Sequence, residues 1–161
     1  SPQLGLVQDR LVAGQGGPVL PLGVGLFGQD PFLFVHGADP DRVFLLGFSQ
    51  GAIMSLALLL ARPDLVRGVV AHSGRLSRLP GAYPSPQALS RAEVLILHGA
   101  EDEVVPAGQG RRAYEALAPL LGARVAHRAF EGLGHGISEE SLDEAARWLA
   151  ARLDGERPGG A

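Results

Sequence analysis

Apolar runs alternate with longer helical patterns along most of this chain. Four runs have the length and apolar character of strands: residues 43–48, 69–72, 93–98 and 124–130. The first three are continuously apolar, and the fourth alternates like a more exposed strand. Three longer stretches have helical composition or spacing: residues 50–62, 106–121 and 138–153. Continuous strands that alternate with helices predict an α/β domain with a mostly parallel sheet flanked by helices.

Breaker and capping residues set the predicted bounds of the helices. Pro63 ends the first helix, Pro106 stands near the start of the second, and Gly122 follows the second. The third helix is amphipathic, with Ser138 or Ser141 as its expected cap; Ser141 and Glu144 would fit a capping box. Its predicted buried face holds Leu142, Ala145, Ala146, Leu149 and Leu153.

The first forty residues give a weaker pattern. Residues 11–13 fit a strand that leads into the Gly-rich stretch at 14–17. Further on, Asp30 fits the cap of a short helix with Pro31 at its first position. A strand over residues 32–35 fits nearly as well, so this segment keeps two interpretations.

Composition limits the class of protein. The 161 residues are 46% hydrophobic, which predicts one domain over residues 1–161. Within it we expect an atypical segment at 1–38 and, beyond the last helix, a disordered tail at 154–161. The net charge of −3 is scattered and indicates no nucleic-acid partner. The longest apolar region, residues 18–35, is broken by Pro, Gly and Asp, so we expect no membrane span. No stretch looks like a signal peptide, which predicts a cytoplasmic protein.

A nucleophile-elbow pattern, G-x-S-x-G, lies between the first strand and the first helix. It reads Gly47-Phe48-Ser49-Gln50-Gly51. A sharp strand-to-helix turn exposes the serine, and the flanking glycines let strand and helix approach without a Cβ clash. The turn also aims the Gln50 N–H at the place where an oxyanion would form. The alternative is a glycine-rich turn with an ordinary serine.

Asp102 and His135 fit the other two members of a catalytic triad. A serine hydroxyl needs a base, and the base needs a carboxylate that orients it. Asp102 follows the third strand and His135 follows the fourth, at the edge of the sheet where Ser49 is expected. The order Ser, Asp, His is the one expected of this fold. The neighbouring Glu101 and Glu103 remain alternatives to Asp102.

Two other histidines, His72 and His98, compete with His135 for the role of base. His72 and His98 also close strands, and we expect them to shape the site or satisfy backbone groups; His36 and His127 are expected at the surface or in caps. With no cysteine and no closely spaced histidine pair, no metal site is predicted.

Three motifs resemble a known family: Asp39-Pro40-Asp41-Arg42-Val43 running into the elbow; His98-Gly99 with Asp102, Val104, Val105 and Pro106; and Gly134-His135 followed by Ile137-Ser138. They are similar to the phospholipase/carboxylesterase family, whose members include acyl-protein thioesterases. The resemblance covers roughly residues 36–153. It implies an α/β-hydrolase fold, cofactor-free hydrolysis of carboxylic esters, thioesters or lysophospholipids, and Ser49, Asp102 and His135 as the matching triad.

The N-terminal portion departs from that family. Members have a longer leading portion with a loop that gives the second oxyanion donor, and only residues 13–17 echo it, which makes Gln15 N–H the candidate. A shortened sheet would leave apolar surface or a strand edge exposed, so we expect a homodimer. A monomer mass that does not change with concentration would refute this.

The sequence therefore predicts a serine hydrolase acting on a small-molecule ester or thioester. Phe48, Leu79 and Tyr83 are the candidates for substrate binding. For the stretch at residues 75–90, priors favour a plain surface loop over a wall of the acyl site. A peptide or a lactone as substrate is not excluded by the residues. A truncated, non-catalytic binding or dimerisation module is the alternative from another class.

Overall fold

Four parallel strands form one sheet in the computed structural model, which describes residues 40–77 and 81–155. The strands are β1 (Phe44–Phe48), β2 (Gly68–His72), β3 (Glu93–Gly99) and β4 (Val125–Phe130). They lie in chain order, β1-β2-β3-β4, and each neighbouring pair is parallel. The four predicted strands are confirmed to within one residue at either end.

Three helices flank the sheet. They are α1 (Gln50–Ala61), α2 (Gly108–Leu121) and α3 (Glu139–Gly155). Helix α1 packs against β1 and β2, α2 against β3 and β4, and α3 against β3. Short 3₁₀ turns at Pro40–Arg42 and Gly122–Arg124 precede β1 and β4. The predicted α/β architecture with helices flanking a parallel sheet is confirmed. Over the described residues, no helix combines the length and the apolar character that a membrane span requires.

Strands β1, β2 and β3 are continuously apolar because both of their faces are covered. All five residues of β2 are buried, as are six of the seven residues of β3. Leu56 and Leu59 of α1 and Leu117 of α2 are fully buried against them. Burial of each such side chain contributes about 1.5–3 kcal/mol relative to exposure. In β4 only Val125 and Phe130 are buried, which confirms the more exposed strand expected from its alternating pattern.

The predicted buried face of α3 is only partly right. Ala145 and Leu149 are buried, but Leu142 is 51% exposed and Ala146 is exposed as well. Ser141, which was not part of the predicted buried face, is buried instead. Its hydroxyl group is hydrogen-bonded to the side chain of His72 at the end of β2. The buried side of this helix therefore includes a polar residue, which an apolar periodicity does not find.

Two serines cap α3 reciprocally. Ser141 N–H donates to Ser138 Oγ at 3.1 Å, and Ser138 N–H donates to Ser141 Oγ at 3.0 Å. The predicted cap at Ser138 is confirmed, whereas the box of Ser141 with Glu144 is wrong, since Glu144 pairs with Arg128 of β4.

The predicted tail begins too early, since α3 includes residues 154 and 155. Residues 156–161 lie outside the described residues. So do the elements predicted within residues 1–38, and the single-domain organisation stays a prediction.

Candidate active site

Ser49 lies in a strained turn between β1 and α1. Its φ of 54° and ψ of −114° place it in the left-handed half of backbone space, which a non-glycine residue adopts only when its surroundings impose it. The surroundings here are two hydrogen bonds: Ser49 N–H donates to His72 O at 2.8 Å, and Ile53 N–H donates to Ser49 O at 3.1 Å. The turn thus has the strand–turn–helix context that the elbow pattern predicts.

The two glycines of the elbow have different roles. A Cβ on Gly47 would lie 2.3 Å from the backbone C and O atoms of Gly51, so only glycine lets β1 run this close to α1. A Cβ on Gly51 would meet no atom within 4 Å among the described residues. The expected steric requirement is confirmed for Gly47 and wrong for Gly51.

Asp102 is held in a tight turn after β3. Both Val104 N–H and Val105 N–H donate to its Oδ1 at 2.9 Å, and its side chain is fully buried. Burial alone raises the pKa of Asp102, but the hydrogen bonds from His135, Val105 and Val104 outweigh it, so the pKa lies below the usual carboxyl value. The carboxylate is therefore ionised and ordered before any substrate binds.

His98 supports this turn from the end of β3. Its Nε2 lies 2.8 Å from Val105 O and 3.4 Å from Asp102 Oδ2; both are acceptors, so Nε2 carries the proton. The Nδ1 atom faces Gly110 of α2, where a Cβ would lie only 2.7 Å away. The expectation that His98 satisfies a backbone group is confirmed.

His135 joins Ser49 to Asp102. Its Nδ1 lies 2.7 Å from Asp102 Oδ2, and its Nε2 lies 3.0 Å from Ser49 Oγ. A carboxylate can only accept, so Nδ1 is protonated and Nε2 is free to accept the Ser49 Oγ–H. The structure thus brings together the three side chains named from the sequence.

The alternatives to these three residues occupy other positions. Glu101 and Glu103 are exposed, so neither replaces Asp102 beside the imidazole. His72 is bonded to Ser73 and Ser141. His127 was expected at the surface or in a cap, but it is half-buried beside Tyr114, with its Nε2 buried, and burial lowers its pKa.

The remaining candidates lie around these residues or beyond the described ranges. Gln50 is the first residue of α1, so its N–H belongs to the helix end that has no intrahelical acceptor. The centroids of the Phe48 and His135 rings lie 4.9 Å apart. Tyr83 is exposed on the connection between β2 and β3. Gln15, Leu79 and His36 lie outside the described residues, and within those residues no three His, Asp or Glu side chains converge as metal ligands would.

Ser73, Ser141 and Gly110 are the supporting residues that the sequence reasoning missed. Ser73 and Ser141 bond to His72, and Gly110 admits the His98 ring. The spacing of Ser138 and Ser141 indicates the cap. No neighbouring residue in the sequence indicates that Ser141 also contacts His72 at the end of β2. That contact joins residues far apart in the chain.

A parallel sheet with a serine on a strained turn, a buried carboxylate and a histidine between them is typical of the α/β-hydrolase fold, and the fold is confirmed by solved structures. MGS-M1, an alpha/beta hydrolase enzyme from a deep-sea metagenome library, matches 72% of this chain and 56% of its own with a TM-score of 0.57; at 23% identity it supports the fold alone.

The chain belongs to the phospholipase/carboxylesterase family, whose model matches residues 33–153. It is 32% identical over 125 residues to acyl-protein thioesterase 1 of Eremothecium gossypii, covering 76% of this chain and 53% of that protein. The crystal structure of esterase PE8 superposes with a TM-score of 0.60 at 32% identity, covering 73% of this chain and 53% of that one. The chain spans about half the length of the curated relatives it matches.

Proposed function

We propose that this chain is a serine hydrolase that cleaves carboxylic esters or thioesters through an acyl-enzyme on Ser49. The observation that carries the proposal is the continuous contact from Ser49 Oγ through His135 to Asp102, at 3.0 Å and 2.7 Å. The names of the relatives, a thioesterase and an esterase, agree with acyl transfer to water.

The proposed reaction has two steps. His135 Nε2 takes the Ser49 proton as Oγ attacks the substrate carbonyl, and the protonated ring then gives that proton to the leaving alcohol or thiol. Water repeats the sequence on the acyl-enzyme and releases the acid. Asp102 stabilises the imidazolium in both steps, and Gln50 N–H donates to the oxyanion. No cofactor is part of this scheme.

A fluorophosphonate probe and a panel of p-nitrophenyl esters test the proposal together. The wild-type protein should react with the probe at Ser49 and hydrolyse the esters, and Ser49→Ala should lose both activities. Ser55→Ala is the matched control, because Ser55 lies on α1 close in sequence to Ser49 but its hydroxyl donates to Gly51 O. It should keep its reaction with the probe.

The same experiment separates the alternatives. A folded wild-type protein that neither reacts with the probe nor hydrolyses any ester would contradict the proposal and favour the non-catalytic binding or dimerisation module. Reaction with the probe without ester hydrolysis would retain Ser49 as a nucleophile and redirect the search to peptides or lactones.

A further inference from the structure

His72 closes β2 beside the nucleophile strand and is almost fully buried. Its register partner is Phe48, and its carbonyl accepts the N–H of Ser49. Any residue could supply that carbonyl. The imidazole at this buried position therefore needs a separate explanation.

The imidazole of His72 is bonded at both nitrogens. Nδ1 lies 2.8 Å from Ser73 Oγ, and Nε2 lies 2.9 Å from Ser141 Oγ. Ser141 Oγ–H donates to Ser138 O at 3.1 Å, which leaves the Ser141 oxygen to accept from His72 Nε2–H. The Ser73 hydroxyl then donates to Nδ1, so a neutral ring has both of its nitrogens satisfied.

The surroundings of His72 keep the ring neutral. Burial and the nearby His98 and His135 lower the pKa of His72 to about 4, against a smaller opposite effect of Asp102. At neutral pH the ring therefore places no second positive charge beside the imidazolium that the proposed reaction forms on His135. The Nε2–H remains available as a neutral donor to Ser141.

Ser141 connects His72 to the segment that carries His135. Residues 131–138 link β4 to α3, and Ser138 with Ser141 forms the cap at which that segment ends. Arg128 also pairs with this part of α3, but its side chain is 41% exposed, and exposed ion pairs contribute little. The bond from His72 is the buried one, and a buried neutral bond is not screened by solvent.

We propose that His72 is a positioning residue: through Ser141 it fixes the start of α3 and, with it, the segment that holds His135 between Ser49 and Asp102. The inference rests on the proposed function, because positioning matters for turnover only if His135 is the base. The ring of Phe48 gives the same arrangement a second contact, since it lies 5.8 Å from the His72 ring and 4.9 Å from the His135 ring.

Two amide substitutions separate the two bonds of His72. His72→Gln places an N–H near the position of Nε2 and can keep the bond to Ser141, whereas His72→Asn can keep only the bond to Ser73. We expect kcat for a p-nitrophenyl ester to fall about ten- to a hundredfold in His72→Asn, as a displaced catalytic group implies. KM should stay close to the wild-type value, and His72→Gln should recover most of kcat. Equal loss in both variants, or no loss in either, would overturn the proposal.

A second pair tests the bond from the other side if His72→Asn fails to fold. Ser138→Ala removes one bond of the reciprocal cap. Ser141→Ala removes the other cap bond, the bond to Ser138 O and the contact with His72. Ser141→Ala should lower kcat the more strongly of the two. Equal kcat values would show that the cap alone matters and would overturn the proposal.

A proton NMR resonance separates this inference from the proposed function. The Nδ1–H of His135, shared with Asp102, should give a strongly downfield signal whether or not the protein turns over an ester. His72→Asn should shift or broaden that signal, and His72→Gln should preserve it. An inert wild-type protein with this response would refute the proposed function and keep the positioning role; a signal unchanged in both variants would refute the positioning role itself.

Discussion

At the scale of single residues, Asp102 meets the strictest demand of the site. It must remain ionised while fully buried, which is costly for a carboxylate unless hydrogen bonds replace its water. Two backbone N–H groups saturate Oδ1 and leave Oδ2 for His135. This arrangement fixes the tautomer of His135 that can accept a proton from Ser49.

The substitution Asp102→Asn should therefore abolish most of the proposed esterase activity. The amide of Asp102→Asn can present its NH₂ group to His135 Nδ1, which would favour the wrong tautomer, and it carries no charge to stabilise the imidazolium. We expect kcat for p-nitrophenyl esters to fall on the order of 10³- to 10⁴-fold. Circular dichroism should show an intact fold.

The matched control for this substitution is Glu103→Gln. It removes the same charge one residue away on an exposed side chain, so kcat should stay near the wild-type value. A similar loss in both variants would indicate a general effect of negative charge in this loop and would contradict the assigned role of Asp102.

The sequence named all three residues of this site, with the family resemblance, but spacing alone left Glu101 and Glu103 as alternatives to Asp102. Ser49, Asp102 and His135 stand out because each follows a predicted strand. The choice of Asp102 over its two glutamate neighbours depends on the turn, in which the Val104 and Val105 amides fold back on the carboxylate. A short acidic side chain two residues before such amides is a signal for that turn.

At the scale of elements, the approach of β1 to α1 depends on one glycine of the elbow. Gly47→Ala would force a Cβ into the backbone of Gly51, and we expect it to lower the free energy of unfolding by about 3 kcal/mol. Gly51→Ala should leave it unchanged or raise it by up to about 1 kcal/mol, because alanine favours a helix. Urea unfolding of both variants measures the difference, and equal destabilisation would contradict this account of the turn.

Strand positions were predictable because burial on both faces leaves a continuous apolar run that needs no further context. The orientation of α3 was not, because its buried side includes Ser141, whose contact with His72 joins residues 69 positions apart. A periodicity that counts apolar side chains places Leu142 on the buried face. The helix instead turns a serine inward.

At the scale of the whole molecule, stability should decrease in acid before Asp102 is protonated. The pKa of His72 is about 4 in the folded protein, against an ordinary value of 6.5. As the pH falls from 6.5 to 4, the unfolded chain gains a proton at His72 that the folded chain does not, so the free energy of unfolding should decrease by roughly 3 kcal/mol. His127, whose pKa is also lowered, acts in the same direction.

Urea unfolding at several pH values measures this effect, with His72→Gln as the control. The difference in stability between wild type and variant should shrink as the pH falls through this range. At still lower pH, protonation of Asp102 should decrease the free energy of unfolding further, since the pKa of Asp102 is also lowered in the folded protein. A pH-independent difference between the two proteins would show that His72 does not titrate as described.

Three predictions from the sequence are not tested by the described structure. The second oxyanion donor at Gln15, the substrate contact at Leu79 and the expected homodimer stay predictions, because the first two fall outside the described residues and a single chain does not reveal its assembly. The family relation covers residues 33–153, which include all three proposed triad residues.

The saturated carboxylate of Asp102 has a consequence for how the proposed reaction would accommodate charge. When the neighbouring ring becomes positive, dipoles in liquid water would have to reorient around the new ion pair. Here the amides of Val104 and Val105 already point at the negative partner and are held by the backbone. In the proposed reaction these amides would need little further reorientation, which keeps the reorganisation energy small.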